Sequence, residues 1–169
     1  MQAIKLTPTS YIVLGLLDVV GEATPYDLKQ MVAGGVGNLW SLQHAQLYSE
    51  PERLTKAGYL SERRERGGRR RKHYSLTDQG RRALAAWVAE PTSEFTQLRD
   101  VGLLKLFLGA DPATVAAAQL ELHSGKLAEY ERAQNTLAAG EGPPGPRLAL
   151  EAGIGHEREY VRFWSRFVP

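Results

Sequence analysis

Apolar residues near the start of the chain recur at helical spacing and predict two helices. The first is expected over about 10–20, with Ser10 as its N-cap. The second begins at Thr24-Pro25, where threonine caps the helix and proline fills its first position. Asp27 stands where the acid of a capping box accepts a hydrogen bond from the cap residue. Both elements belong to a helical N-terminal region.

A third helix is expected over about 41–57, after a glycine-rich loop at 34–38. Leu47 and Leu54 lie seven residues apart, which fits one buried face, and most other side chains are polar. Pro51 interrupts this pattern, because a proline inside a helix removes one backbone hydrogen bond and costs about 3 kcal/mol. The alternatives are one kinked helix or two short helices that meet at Pro51. The leucine spacing favours the kinked single helix.

The next segment predicts a β-hairpin crowded with positive charge. Two stretches of strand length flank Gly67-Gly68. Such a pair is a favoured two-residue turn, because glycine accepts positive φ. Thr77 and Asp78 then offer caps for a fourth helix over about 81–90. The order helix, hairpin, helix is how the wing of a winged helix-turn-helix is built.

The chain is expected to contain two domains, with Pro91-Thr92-Ser93 at the boundary. Residues 1–90 would form the winged helix-turn-helix domain and residues 91–169 a helical domain. The helices of the second domain are expected at 95–108, 111–139 and 147–167. The glycines and prolines of 140–146 exclude regular structure, so this segment should connect the last two helices. The predicted fold class is mainly α, with a small two-stranded wing.

The composition is that of a globular protein. Hydrophobic residues make up 43% of the 169 and charged residues 24%, which gives no reason to expect disorder. The absence of cysteine excludes disulfides, thiolate zinc sites and cysteine nucleophiles. No secretory leader is evident, and the longest apolar run near the N-terminus, 11–17, is too short to cross a bilayer. We therefore expect a cytoplasmic protein without a membrane partner.

The net charge of +2 conceals a local excess of positive charge. Residues 1–90 carry 13 Lys and Arg against 9 Asp and Glu, whereas residues 91–169 carry 8 against 10. Within 53–82 the counts are 11 and 3. Such a concentration predicts an anionic macromolecular partner better than the overall charge does. Arginine suits a phosphate backbone, since its planar fork of donors matches phosphate oxygens.

Catalytic and metal-binding motifs do not occur in the sequence. The four histidines, at 44, 73, 123 and 156, include no i, i+4 pair with a third ligand nearby. Neither a metal nor another cofactor is therefore expected. The glycines of 34–37 follow a predicted helix rather than a strand, and no nucleophile elbow or dinucleotide fingerprint occurs. The chain is not expected to be an enzyme.

Several segments of the first domain match a known family in combination. They are Tyr11–Leu17, Trp40, Gln46-Leu47-Tyr48, Arg53-Leu54, Ala57-Gly58-Tyr59-Leu60, Arg69–Thr77 and Gly80. On these segments, residues 8–90 resemble the PadR family of bacterial transcriptional regulators. The second domain, with Gly153–Arg158 before an aromatic helix, is similar to the dimerisation domain of a longer PadR subgroup. Ser49 and Pro51 depart from the pattern, since typical members carry proline and leucine there.

The resemblance implies a homodimeric repressor that binds a palindromic operator in double-stranded DNA. The third helix would enter the major groove, and the wing would lie along the neighbouring backbone or minor groove. Gln43 and Gln46 would hydrogen-bond adenine, Arg53 would reach phosphate or guanine, and the wing arginines would add salt-dependent affinity. The candidate DNA-binding residues are Ser41, Gln43, His44, Gln46, Tyr48, Ser49, Arg53, Arg66, Arg69, Arg70, Arg71, Lys72 and Tyr74.

Three tryptophans raise the question of an effector. The resemblance implies a small aromatic or lipophilic effector, because family members sense phenolic acids or flat lipophilic drugs. Trp40, Trp87 and Trp164 are the candidates to bind it. The competing interpretation, favoured for Trp87 and Trp164, places them in the core or the dimer interface, because an indole buries a large apolar area. Tyr48 and Tyr74 have two similar alternatives, which are donation to phosphates or packing beneath the wing.

A second class of function stays open. The protein could sequester a ligand or act as an adaptor whose basic winged helix docks on RNA or on a protein partner, since winged helices also serve as interaction modules. Preference for one palindromic duplex over random duplex and RNA would favour the regulator. Equal binding to all of them would favour the adaptor.

Overall fold

The computed structural model describes residues 4–67, 70–138 and 144–168. Within these ranges the chain forms seven α-helices, three β-strands and one 3-10 turn. It divides into two compact units, Met1–Glu94 and Phe95–Pro169. The first unit contains the sheet together with four helices, and the second contains three helices. None of the described helices is long and apolar enough to cross a membrane.

The first helix, α1 (Pro8–Val20), begins two residues before the predicted start. Thr7 is its N-cap, so the expectation that Ser10 is the cap was wrong. Pro8 occupies the first helical position, where the missing N–H has no intrahelical partner to lose. Ser10 instead completes a capping box, in which its hydroxyl accepts from the Thr7 N–H at 2.8 Å. The threonine-proline pair therefore sets the start of the helix.

Helix α2 (Pro25–Ala33) confirms the predicted cap at Thr24, with Asp27 as the acid of its capping box. Between α1 and α2, two residues form the short strand β1 (Glu22–Ala23), where no strand was predicted from the sequence. The glycine-rich segment after α2 contains the 3-10 turn, Val36–Asn38. A strand of two residues has no measurable alternation, so its pairing could not be read from the sequence.

The sheet has three antiparallel strands in the order β1-β3-β2, not the two expected. Strands β2 (Leu60–Arg64) and β3 (Lys72–Leu76) form the hairpin, in which Arg64 lies opposite Lys72. A two-residue turn at Gly67-Gly68 would place Arg64 opposite Arg71, so the predicted turn is wrong by one residue. The Glu65 N–H donates to the Arg71 carbonyl at 3.1 Å and extends the pairing. Gly68 and Arg69 lie outside the described residues.

Helix α3 (Gln46–Lys56) is one element that continues through Pro51, as the favoured alternative expected. It begins later than the predicted residue 41. Before it, the N–H groups of Gln46 and Leu47 donate to carbonyls three residues back, at 2.9 and 3.2 Å, which is the tighter 3-10 pattern. Ser41, Gln43 and His44 therefore precede the helix, contrary to the prediction. Leu47 and Leu54 are fully buried, as predicted.

Helix α4 (Asp78–Ala89) closes the first unit and begins three residues before the predicted 81, with Thr77, one of the two predicted caps, as its N-cap. Gly80 packs tightly against the start of the hairpin, because a Cβ atom there would lie 2.3 Å from the Tyr59 carbonyl oxygen. The core joins side chains of α1, α2, α3 and all three strands. Its buried members are Val13, Leu14, Leu17, Ala23, Leu28, Val32, Leu47, Leu54, Leu60, Tyr74 and Leu76. The sheet and α3 are thus held by one core.

The second unit contains α5 (Val101–Phe107), α6 (Pro112–Ala138) and α7 (Pro144–Ser165). Residues 95–100 have no regular structure, so the predicted helix over 95–108 was too long. The Asp100 side chain explains the later start, because it caps α5 by accepting from the Leu103 N–H at 2.8 Å.

Helix α6 follows its prediction closely, and α7 begins earlier than predicted. Residues 144–146 are helical although the sequence analysis excluded regular structure there, because the first turn of a helix tolerates proline. The rest of the expected connection, 140–143, lies outside the described residues. Inside this unit Trp164 is fully buried, and His123 bonds Glu157 at 2.6 Å.

Candidate nucleic-acid interface

The arginines on the hairpin strands are paired with carboxylates of the same sheet. The Arg63 Nε donates to Glu22 at 3.1 Å, and the Arg64 Nε donates to Glu62 at 2.7 Å. These hydrogen bonds and the neighbouring positive charges hold the pKa of Glu22 and of Glu62 below their ordinary values. Both carboxylates therefore stay ionised at neutral pH and offset the charge of the two arginines.

Lys72 is neutralised in the same way, although it was predicted to bind DNA. Its ammonium donates to Glu52 of α3 and lies 3.5 Å from Glu62 of β2. The hydrogen bond from Lys72 lowers the pKa of Glu52. His73 completes the pattern with a 3.0 Å contact to Glu65, and this hydrogen bond lowers the pKa of the Glu65 carboxyl. The lysine thus joins the hairpin to α3.

The arginines at the tip of the hairpin differ from those on its strands. Arg66, Arg70 and Arg71 are exposed, and no carboxylate within the described residues lies within ion-pair distance of them. Arg70 has a φ of 47°, in the left-handed region, at the point where the chain reverses. Arg69, the fourth candidate at the tip, lies outside the described residues. Uncompensated positive charge is therefore concentrated at the tip.

The exposed face of α3 carries three of the predicted DNA-binding residues. Gln46 and Ser49 are exposed, and Tyr48 is half-exposed. The Gln46 Oε1 accepts from the Gln43 N–H at 3.1 Å, which leaves its two amide hydrogens to donate elsewhere. Ser49 donates to the Ala45 carbonyl at 3.2 Å. Polar groups able to contact base edges thus lie at the beginning of the helix.

Ser41, Gln43 and His44 were predicted to lie on the recognition helix, and this placement is corrected by the structure. All three are exposed in the segment that leads into α3. They keep their polar side chains at the entry to the helix, but they do not follow its periodicity. Their contact with DNA stays a prediction.

A cleft of about 470 Å³ lies between the hairpin and the helix-turn-helix. Its lining brings together three separate segments and consists of Thr24, Pro25, Tyr26, Tyr48, Arg71 and Lys72. The lining thus combines two exposed tyrosines, Tyr26 and Tyr48, with two basic residues, Arg71 and Lys72. Tyr26 was not among the DNA-binding residues predicted from the sequence. Its position at the start of the helix before the recognition helix was the available signal, because that helix crosses the DNA backbone in helix-turn-helix complexes.

Two further candidates, Tyr74 and Arg53, make contacts within the first unit. Tyr74 is fully buried, with its hydroxyl 3.4 Å from Glu62, so packing beneath the wing was the correct alternative. Arg53 is occupied within the unit, where its guanidinium binds the Glu50 carboxylate through Nε at 2.8 Å and Nη2 at 2.6 Å. Most of its donors are thus engaged within the unit, and its contact with phosphate or guanine stays a prediction.

The three candidate tryptophans lie in different environments. Trp87 stacks on Tyr11 at 4.3 Å with the two rings 5° apart, and 44% of it remains exposed. Trp40 is similarly exposed. Trp164 is fully buried in the second unit, as the core interpretation predicts, although no hydrogen-bond partner for its Nε1 lies among the described residues. Trp87 and Trp40 thus retain an accessible aromatic surface.

No cluster of His, Asp or Glu side chains in the described part of the chain is placed to hold a metal ion. The chemistry of the first unit is therefore that of cationic and hydrogen-bonding side chains. These side chains sit on a small sheet, a short helix and the segment before that helix. This combination is suited to a polyanion with functional groups in a groove.

Two family descriptions match successive parts of the chain. The Transcriptional regulator PadR-like family matches residues 13–86. The Virulence activator alpha C-term family matches residues 98–167. Among curated proteins, the Negative transcriptional regulator PadR of Bacillus subtilis (strain 168) is 27% identical over 165 residues. The alignment covers 89% of this chain and 90% of that protein.

Solved structures are similar over nearly the whole length. Bacillus subtilis PadR in complex with operator DNA has a TM-score of 0.83 and 25% identity, covering 96% of this chain and 97% of that one. The same protein in complex with p-coumaric acid has a TM-score of 0.76 at 25% identity, covering 96% of each chain.

The Vibrio cholerae virulence activator AphA, at 23% identity, has a TM-score of 0.72 and covers 95% of each chain, which supports the fold alone. The matches begin in the winged helix and continue through the helical unit. The resemblance drawn from the sequence is therefore confirmed: residues 13–86 match the PadR-like family of transcriptional regulators, and the chain is similar over nearly its whole length to a PadR regulator.

Proposed function

We propose that this protein is a homodimeric repressor that binds a palindromic operator and is released by a small aromatic effector. The observation that carries the proposal is the uncompensated charge of Arg66, Arg70 and Arg71. One of the three, Arg71, lines the same cleft as the exposed Tyr48 of α3. The similarity to Bacillus subtilis PadR bound to operator DNA supports the same use of these surfaces.

Affinity and sequence preference belong to different parts of this surface. The arginines at the hairpin tip supply a sequence-independent attraction to phosphates, which weakens as salt rises. Gln46 and the neighbouring exposed residues of α3 supply contacts to base edges, because a glutamine amide pairs with adenine in the major groove. The sugar-phosphate strand would run along the cleft between them, where Tyr26 and Tyr48 have hydroxyls able to donate to phosphate oxygens.

The second unit supplies the dimer contact in this proposal. A monomeric protein rarely exposes many large apolar side chains in one region. Six such side chains, each at least half exposed, are found over 95–108, and they are Phe95, Leu98, Val101, Leu104, Phe107 and Leu108. Association of two copies would bury them. Two copies would also present two α3 helices to the two half-sites of a palindrome.

Release would follow from linkage between the effector and DNA. An effector lowers operator affinity only by the difference between its binding energies for the free and DNA-bound conformations. Bacillus subtilis PadR has been crystallised with p-coumaric acid, which makes this phenolic acid the first compound to test. The half-exposed Trp87, stacked on Tyr11, offers an aromatic surface and a fluorescent reporter.

Selection of bound sequences from a random duplex pool tests the DNA-binding proposal. We expect one palindromic sequence with half-sites about one helical turn apart. Gln46→Ala should change the base preference within each half-site while leaving the spacing intact. Recovery of no preferred sequence, together with equal affinity for random duplex and RNA, would contradict the operator proposal and favour the adaptor.

The effector proposal needs its own measurement. With the selected operator in hand, p-coumaric acid should lower operator affinity and change the tryptophan fluorescence over the same concentration range. By reciprocity, operator DNA should weaken p-coumaric acid binding by the same factor. Unchanged operator affinity across a panel of phenolic acids and flat lipophilic compounds would remove the effector from the proposal and leave DNA binding untouched.

A further inference from the structure

A buried polar cluster lies beneath the DNA-facing side of α3. It joins the carboxylate of Glu50, the guanidinium of Arg53 and the hydroxyl of Ser10, which come from two helices. Ser10 is fully buried and Glu50 is 9% exposed. Glu50 lies between the buried Leu47 and Leu54, at a position where helical periodicity places an apolar side chain.

The contacts of the cluster are close and nearly fill the capacity of its groups. The Ser10 Oγ donates to Glu50 at 2.6 Å and accepts from the Thr7 N–H at 2.8 Å and from Arg53 at 3.0 Å. One donor and two lone pairs are all that a hydroxyl offers. Arg53 adds its two-point contact to Glu50 and donates to the Lys5 carbonyl at 3.2 Å. The residue that completes the cap of α1 therefore also holds α3.

The position of the cluster along α3 gives it a specific task. Pro51 has no N–H, so the helical hydrogen bond from residue 51 to the Leu47 carbonyl is missing at this turn. The Glu50–Arg53 ion pair spans this proline on the buried side. Directional hydrogen bonds to Ser10 then fix the rotation of the turn, whereas an apolar contact at residue 50 would tolerate small rotations. The exposed Tyr48 and Ser49 belong to the same turn.

We propose that Ser10, Glu50 and Arg53 are positioning residues, which set the orientation of α3 and thereby the operator preference of the protein. The inference rests on the proposed function, and it deepens it by moving Arg53 from the DNA contact set to the support of the helix. It also gives the first residues of the chain a role, since the Lys5 carbonyl closes the cluster from the side of the N-terminus.

The state of ionisation supports this role. Burial by itself would raise the pKa of Glu50, but the hydrogen bonds from Arg53 and Ser10 and the charge of Arg53 bring it below its ordinary value. The hydrogen bond to Glu50 also raises the pKa of Arg53. The pair is therefore fully charged at neutral pH, when its hydrogen bonds are strongest.

The decisive variant is Ser10→Ala in the full-length protein. Ser10 is fully buried and cannot contact DNA, so a change in DNA preference has to arise indirectly, through the cap of α1 and its hydrogen bonds to α3. We expect the ratio of operator affinity to random-duplex affinity to fall on the order of tenfold, as for the loss of one base contact. The salt slope should stay unchanged, because no phosphate contact is lost. A ratio equal to that of the wild type, in a protein that is fully folded by circular dichroism, would overturn the proposal.

Arg53→Lys distinguishes positioning from direct contact and serves as well if Ser10→Ala does not fold. A lysine retains the charge needed for a phosphate contact but lacks the two-point geometry that holds Glu50. Positioning predicts a lower affinity ratio in this variant and non-additive effects when it is combined with Ser10→Ala. Retention of the wild-type ratio in Arg53→Lys would indicate a phosphate contact and contradict the inference.

The control is Asp18→Asn, which removes the 3.4 Å contact of α1 with Arg81 and leaves α3 untouched. It should keep the wild-type ratio. If the wild-type protein itself prefers no duplex sequence, the proposed function fails before any variant is compared. The two failures are therefore distinguishable.

Discussion

Arginines of the hairpin differ in their partners, and this difference decides what each contributes. Arg64 already has a carboxylate at hydrogen-bond distance, and its contact with DNA would require Glu62 to lose that partner or to approach the phosphates with it. Arg71 has no such partner among the described residues and lines the cleft beside α3. The number of arginines therefore overstates the charge available to DNA.

A matched pair of variants tests this difference. Arg71→Gln and Arg64→Gln each remove one positive charge from the same hairpin. For Arg71→Gln we expect weaker binding to all duplexes. The slope of log affinity against log salt concentration, which is negative, should become less steep by about 1. Arg64→Gln should change the slope clearly less. Fluorescence anisotropy titrations at several salt concentrations measure both, and equal slopes would contradict the role assigned to the ion pairs.

The exposed residues of the candidate surface could be predicted from the sequence, but most of the ion pairs of its side chains could not. The basic run and the exposed polar residues Gln46, Tyr48 and Ser49 were identified correctly as exposed groups. The i, i+3 spacing of Glu50 and Arg53 was a local signal for their ion pair, but the contacts of Arg53 with Ser10 and Lys5 could not be foreseen, because they form only when α1 packs on α3. The number of charged residues in a segment does not show which carboxylate pairs with which arginine in the folded chain.

Helix ends were predicted more closely than helix starts, because α1, α3, α4 and α5 end within one residue of the prediction whereas each of them starts elsewhere. Thr24 and Thr77 were identified as caps because a hydroxyl before a helical pattern satisfies orphan N–H groups within three residues, which is local information. The start of α3 was missed because residues 41–45 carry no such cap and adopt the tighter 3-10 pattern. The overlong helix over 95–108 had an apolar pattern, but its exposed residues do not pack within their own unit.

Two glycines in helices differ in the space that the structure leaves for a side chain. Gly80 of α4 has no room for a side chain, so Gly80→Ala should lower the free energy of unfolding by about 1–3 kcal/mol. Gly125 is exposed inside α6 with nothing within 4 Å of an added Cβ. Gly125→Ala should therefore raise the free energy of unfolding by roughly 0.5–1 kcal/mol. Urea unfolding followed by circular dichroism measures both, and the same sign for the two variants would contradict the packing described.

The two units are expected to contribute unequally to self-association. Phe107 of α5 is 87% exposed, which is costly for an aromatic side chain unless a partner covers it. Phe107→Glu should convert a dimer into a monomer, as measured by analytical ultracentrifugation. Val19→Glu introduces the same charge at a residue of the first unit that is 76% exposed, and it should remain dimeric. A dimer in both variants would move the contact away from α5.

Acid should destabilise the winged-helix unit through its paired carboxylates. Glu50 and Asp27 have a lowered pKa in the folded protein, the former through Arg53 and Ser10 and the latter through hydrogen bonds from Thr24. A lowered pKa means that the stabilisation is complete above the pKa of the unfolded chain, and is lost as pH falls through the lower folded value. The loss for Glu50 should begin near its ordinary value of 4.5.

Melting temperatures measured between pH 7 and pH 3 test this expectation. The wild-type melting temperature should fall as the solution is acidified below about pH 4.5. Glu50→Gln should begin with a lower melting temperature at pH 7 and lose less of it on acidification, because it has no carboxyl to protonate at that position. A parallel pH dependence in the two proteins would show that Glu50 does not contribute to the acid response.

The strand β1 has a mechanical consequence for the whole molecule. It pairs with β3 and so joins the hairpin to the connection between α1 and α2, and the Arg63–Glu22 contact adds a second link between them. The wing and the helix-turn-helix are thereby joined in one DNA-binding unit, which resists internal bending. In the proposed homodimer, an effector would therefore lower operator affinity by changing the distance between the two DNA-binding units rather than the shape of either one. Operators with altered half-site spacing should therefore mimic the effector.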